Sequence, residues 1–261
     1  MARAVDSAAL ALVVAIGVGT APARAQDNYE IQVYPAETVA PRTTMVELHS
    51  NYTLNGRSTE QGGLWPTEHA FHETLEITQG ITSWFEMGFY LFTSVRGGQG
   101  WQWAGDHIRP RVRVPEAWAW PVGVSVSMEF GYQRPQVSPD TWTWEIRPIV
   151  DKQLGPWYVA ANPALGRSWR GPGVSKGVEF SPAAQVGYDV TRTVNLALEY
   201  YGSWGPVTRL DPYQEQQHQL FAAVNLTTSP TWEFNLGLGD GFTKHTDHLI
   251  AKMILGRRIQ W

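Results

Sequence analysis

The stretch VGVSVSMEFGYQ alternates strictly, with Val122, Val124, Val126, Met128, Phe130 and Tyr132 on one face of a strand and Gly123, Ser125, Ser127, Glu129, Gly131 and Gln133 on the other. The same period of two recurs along the chain. WFEMGFYLFTSV sets Phe85, Met87, Phe89, Leu91 and Val95 against Glu86, Gly88, Tyr90 and Ser94, and TWEFNLGLG sets Trp232, Phe234, Leu236 and Leu238 against Glu233, Asn235, Gly237 and Gly239. TVNLALEYYGSW sets Val194, Leu196, Leu198, Tyr200 and Trp204 against Asn195, Glu199, Tyr201 and Ser203. About twelve such segments lie near 43–54, 68–78, 84–95, 105–114, 121–133, 141–151, 157–165, 176–188, 193–203, 217–227, 231–239 and 247–261. Their length suits a tilted membrane strand of roughly 9–11 residues better than the usual five or six of a soluble sheet.

The connections carry a second period. After odd segments they are long and rich in Gly, Pro or charge (NGRSTEQGGLWPT, RPQVSPD, GRSWRGPGVS, GPVTRLDPYQEQQ), and after even ones mostly short (QGITS, KQLGP, DVTR, TSP). Long loops on one side and short turns on the other are the habit of a membrane barrel. The expected fold is therefore all-β, a closed antiparallel transmembrane barrel of about 12 strands spanning 43–261.

The N-terminus fits that compartment. MARAVDSAALALVVAIGVGTAPARAQ has an early Arg3, an apolar run from about Ala8 to Val18, and Ala23-Arg24-Ala25 before Gln26. Such a run is too short to span a bilayer and reads as a signal peptide over 1–25. Residues 26–42 then form a periplasmic N-terminal segment. An even strand count places both ends of the barrel on that same side. The chain contains no cysteine, so no disulfide can form. Without Arg3, Arg24 and Asp6, the 20 basic and 24 acidic residues become 18 and 23, a mature charge of minus five that makes nucleic acid a poor partner.

The C-terminus ends on KMILGRRIQW. Trp261, Ile259, Leu255, Met253, Ala251 and Leu249 share a face with Arg257, while the other face is mixed to polar. With this ending the chain resembles Gram-negative outer-membrane β-barrel proteins, whose final strand typically ends on Phe or Trp after alternating apolar residues. At the level of class it is also similar to uncharacterised families of outer-membrane transporters. The resemblance implies a bacterial outer-membrane location, contact with outer-membrane lipids, insertion by the barrel-assembly machinery, and Trp261 as an assembly signal. Arg257 departs from the pattern and is expected at the water interface. Among the 13 tryptophans, Trp142, Trp144, Trp157, Trp204 and Trp232 fall on outward faces towards strand ends, where aromatic girdles sit.

If the apolar faces meet lipid, the polar faces line the lumen. GDHIRPRVRV puts His107, Arg109, Arg111 and Arg113 on one face. Folding back the hairpin brings Glu86 opposite Arg113 and Tyr90 opposite Arg109, with Glu129 near His107; Glu145, Arg147 and Asp151 follow on the sixth segment. Arginines inside a barrel need carboxylate partners. These residues form either a structural ion-pair network or an anion-attracting eyelet. A second group, Glu47, His49 and Asn51 with Glu68, His72 and Glu76, faces inward from the first two segments, and hairpin register places His49 close to His72. Imidazoles and carboxylates on one wall suit hydrogen-bonded filling, metal binding or acid/base work; no metal or cofactor is assigned. His69 and His72 point to opposite faces. Glu73 breaks the row Phe71, Leu75, Ile77, which calls for a bulge or an interface position.

Twelve strands lie between side-chain-filled barrels of eight and open channels of sixteen or more. The expected function is a narrow channel or transporter for small polar or anionic solutes, with QDNYEIQVYPAETVAPRT able to plug the lumen. The alternatives are an outer-membrane lipid hydrolase, for which no G-x-S-x-G is present, and a structural or surface-binding barrel acting through its loops.

Overall fold

The computed structural model describes residues 28–261, so the signal peptide at 1–25 lies outside the described residues. Twelve long strands are found among them: β1 (Thr43–Asn55), β2 (Phe71–Thr82), β3 (Phe85–Arg96), β4 (Gly100–Arg113), β5 (Gly123–Gln133), β6 (Trp142–Leu154), β7 (Trp157–Arg170), β8 (Val178–Asp189), β9 (Val194–Ser203), β10 (Gln217–Ser229), β11 (Trp232–Gly241) and β12 (Leu249–Gln260). A two-residue piece, Gly205–Pro206, extends the ninth connection. Each strand pairs antiparallel with the next, and β12 returns to β1 with Thr43 opposite Gln260 and Leu48 opposite Leu255. The sheet is closed and leaves no edge.

Burial is inverted relative to a soluble protein. Phe89 is 51% exposed whereas Glu86, three residues earlier on the same strand, is fully buried. Leu75, Ile77, Leu91, Leu198 and Leu238 are likewise exposed, and Glu76, Arg109, Glu199 and Lys252 are buried. A row of exposed aliphatic side chains is stable only against hydrocarbon, so the outer face is the lipid face. Aromatic clusters mark both rims. Trp103 stacks on Tyr132, which meets Trp142, at the end bearing the long loops; Trp157 packs edge-on to Tyr188 at the end bearing the short turns. Arg257 lies outward near the turn end, its guanidinium 5.1 Å from the Trp232 ring centroid, a cation–π contact suited to an interface.

Several strands run further than the apolar pattern alone indicates. β4 begins at Gly100 rather than 105 and β7 runs to Arg170 rather than 165, because both project past the lipid band, where the outward residues need not be apolar. The β3–β4 hairpin tightens to residues 97–99, with Gly98 and Gly100 at positive φ, and Ala104 is bulged out between the pairs Phe92–Gly105 and Thr93–Trp103. Prolines interrupt the ladder: pairing skips residues 109–110 between β4 and β5, and 147–149 against 162–164 between β6 and β7, where Pro110, Pro148 and Pro163 have no N–H to offer. Glu73 needs no bulge. It sits near the loop end of β2 and accepts a 2.7 Å hydrogen bond from Ser50 on the neighbouring strand.

Residues 28–42 do not stay outside the barrel. They run through its interior from the turn end, where the Trp261 amide donates to the Arg42 carbonyl at 3.1 Å, to the loop end, where Asn28 donates to Asp247 at 2.6 Å. Room for them comes from small inward residues on the second half of the barrel, Ala160, Ala183, Ala197, Ala223, Gly237 and Gly239. Ile31 and Val33 pack there against Ala160, Ala183, Tyr201, Phe221 and Ile250. At the turn end the chain crosses Gly80 so closely that a Cβ there would lie 2.1 Å from the Ala40 carbonyl oxygen.

Candidate functional site

The inner walls of β2 to β6 carry the charges. Register places Glu86 opposite Arg111, and Tyr90 opposite His107, two residues from the expected pairing. Arg111 donates from Nε to Glu86 at 2.7 Å. Arg109, buried one step deeper, donates to Glu86 at 3.1 Å and also to Glu76 and the Tyr90 hydroxyl. Arg113, expected opposite Glu86, instead turns to the rim and pairs with Glu116 at 2.8 Å; the tight β3–β4 hairpin and its bulge set this register. His107 meets Glu129 as expected, by a diagonal contact. Arg147 donates to Glu145 at 2.7 Å and reaches Glu30 on the interior segment at 3.4 Å.

The segment has no strand partner, so its backbone polar groups must be met by side chains. Arg111 donates to the carbonyls of Pro35 and Glu37 at 3.0 and 2.8 Å. Val39 and Ala36 donate their amides to Glu86 at 2.6 Å and Asp151 at 2.9 Å. Asn162 accepts from the Tyr34 amide at 2.7 Å and donates to its carbonyl at 3.0 Å. Thr74 donates to Tyr29 and Asn51 to Asn28, at 2.6 and 2.8 Å. The Tyr34 hydroxyl contacts both Glu30 and Tyr90, and its ring lies 5.0 Å from the guanidinium carbons of Arg109 and Arg147. The wall charges and the segment thus form one network.

Lys252 and Glu199 complete it from the opposite wall. Both are buried and paired, and Lys252 also donates to the Ile31 carbonyl at 3.1 Å and the Tyr201 hydroxyl at 3.3 Å. Neither residue stood out in the sequence; the signal was there in a lone inward Lys on β12 and a lone inward Glu on β9, three strands apart.

The second predicted cluster is divided by register. His49 faces Thr74 and His72 faces Asn51, so the two imidazoles are not brought together. His49 Nε2 lies 3.6 Å from Glu76, while His72 sits edge-on to the Tyr29 ring at 5.0 Å. Glu68 lies in the loop before β2. Glu47, His49 and Glu76 place one potential ligand atom each within 4.8 Å of one another. The Arg109 guanidinium already lies against Glu76 and supplies the positive charge there.

Two cavities flank the segment. One, of about 480 Å³, lies at the loop end and is lined by Tyr29, Glu30, Trp65, His72, Arg96, Glu129 and Arg147 among others. The other, of about 530 Å³, lies at the turn end between Ala36, Glu37, Arg113, Trp120, Asp151 and Tyr158. Residues 31–35 belong to neither lining and separate them.

No protein-family model matches the chain, and no curated protein matches it. Among solved structures it is similar to the COG4313 outer membrane channel from Pseudomonas putida F1, with 12% identity, a TM-score of 0.62, and 88% of this chain and 100% of that one covered. It is also similar to the NanC porin (9% identity, TM-score 0.53) and the KdgM porin (6%, 0.52), in each case over 83% of this chain and 99% of the other. These likenesses are of fold: the chain is a membrane-embedded β-barrel.

Proposed function

We propose that the protein is a bacterial outer-membrane channel or transporter for small polar or anionic solutes, with residues 28–42 as a plug seated in its lumen. The observation that carries this is the pair of cavities of about 480 and 530 Å³ at opposite ends of one barrel, divided by residues of the interior segment. A lumen serving only as a structural core has no need of a vestibule at each end. The resemblance of the C-terminus to outer-membrane barrels supports insertion by the barrel-assembly machinery among outer-membrane lipids, and the longer loops then face outward. Passage requires the segment to shift, or solutes to slip past residues 31–35.

Planar-bilayer recordings test this directly. The intact mature protein is expected to give small, discrete conductance steps, and a variant lacking residues 28–39 steps several times larger. Silence of both proteins, each shown to be inserted and folded, would remove the channel function.

A further inference from the structure

Five cations are buried in the described barrel: Arg96, Arg109, Arg111, Arg147 and Lys252. Four of them hold a carboxylate, Arg109 and Arg111 on Glu86, Arg147 on Glu145, and Lys252 on Glu199. Arg96 holds none. It ends β3, is 8% exposed, and its Nε, Nη1 and Nη2 atoms have no hydrogen-bond partner among the described residues. An unpaired charge withdrawn from water is costly, and a protein that pairs every comparable cation leaves this one open at a cost in stability.

The surroundings say what would complete it. The Arg96 guanidinium carbon lies 3.5 Å from the Trp65 ring centroid, the spacing of face-to-face stacking. Trp65 is itself tied down, donating its amide to the Gln136 carbonyl at 2.7 Å and accepting from Arg57 on its own carbonyl at 2.5 Å. A guanidinium stacked by its face keeps its N–H groups in its own plane, parallel to the ring, the fork that engages a flat oxyanion by two parallel bonds. Arg96 lines the loop-end cavity together with Ser94, His72 and Gln136. Both His72 ring nitrogens and the Gln136 side-chain oxygen are buried without a hydrogen-bond partner among the described residues. Glu30, Glu129 and Glu145 line the same cavity and disfavour a second negative charge.

We propose that Arg96, stacked on Trp65, is the anion-binding group of a solute site in the loop-end cavity that takes a small, singly charged carboxylate with a polar, hydroxylated body. This deepens the channel function proposed above and rests on it for the meaning of the site as a station on a solute path. The binding itself is measurable without conduction. Arg134, 5.0 Å from the same ring, adds positive field but donates to the Trp103 carbonyl.

The test is calorimetric titration of the folded, full mature protein in detergent with sodium D-gluconate, D-glucose and inorganic phosphate. Gluconate should bind, more weakly as salt rises; glucose should not bind, and phosphate should bind at least tenfold more weakly than gluconate. Arg96→Gln should weaken gluconate binding at least tenfold with unchanged heat-modifiable gel migration. If Arg96→Gln fails to fold, Arg96→Lys and Trp65→Leu carry the test, each expected to lose at least tenfold because one removes the planar fork and the other its stacking platform. Gluconate binding that is absent from the wild type, unchanged in these folded variants, or matched by phosphate overturns the site. A protein that conducts but does not bind gluconate refutes the site alone, whereas one that binds gluconate without conducting refutes the channel function alone.

Discussion

Asn162, on the inner face of β7, grips Tyr34 by both of its backbone groups, accepting from the amide at 2.7 Å and donating to the carbonyl at 3.0 Å. A side-chain amide here does what a neighbouring strand does in a sheet, and it does so at the middle of the interior segment. Replacing it by alanine leaves two buried backbone groups unmet, a loss of about 1–3 kcal/mol for each. Asn162→Ala should therefore loosen the segment while leaving the wall pairing intact. Limited proteolysis should cut between residues 28 and 42 faster, and bilayer recordings should show longer or larger openings. Unchanged protection of the segment would show that Asn162 does not hold it.

Lys252 and Glu199 are buried against each other, so removing one strands the other. Lys252→Met should destabilise the barrel by about 3–5 kcal/mol, and the double variant Lys252→Met with Glu199→Leu should recover most of that loss. Urea unfolding into and out of lipid vesicles measures both. If the double variant is as unstable as the single one, the two residues act separately.

Arg111 distinguishes the two roles open to the basic stripe. It is 5% exposed and its guanidinium is engaged by Glu86 and by the carbonyls of Pro35 and Glu37, which is the geometry of a structural clamp. Arg111→Glu should place two carboxylates together, lower unfolding stability by several kcal/mol, and unseat the segment. A variant as stable as the wild type with only a shifted reversal potential would point to an eyelet exposed to the permeating ion.

Trp261 directly follows β12, its amide donating to the Arg42 carbonyl and its indole N–H to the Thr44 hydroxyl at 3.2 Å. Its ring is exposed, so it contributes little to the packing of the folded barrel. Deletion should lower the amount of protein inserted in the membrane while the barrels that do form keep near wild-type heat resistance. Equal insertion of the truncated and full-length chains would show that the final residue is not read during assembly.

The period of two determined, from the sequence alone, which residues share a face. Because side chains alternate strictly along a strand, the alternation alone puts Glu86, Arg109, Arg111, Glu129 and Arg147 inward and Phe89, Leu91 and Ile108 outward. Chain closure through Trp261 was equally legible. What the pattern could not contain was register. A slip of two residues keeps every side chain on its face, so Glu86 against Arg111 rather than Arg113, and His49 against Thr74 rather than His72, were decided by the hairpin at 97–99, the bulge at Ala104 and the span of the 56–70 loop. The path of residues 28–42 was further out of reach. Their sequence has no period, since an extended segment without strand partners repeats nothing. Its course is fixed by Asn162, Arg111, Asp151, Lys252, Thr74 and Asn51, six side chains from six strands that only the closed barrel brings to one line.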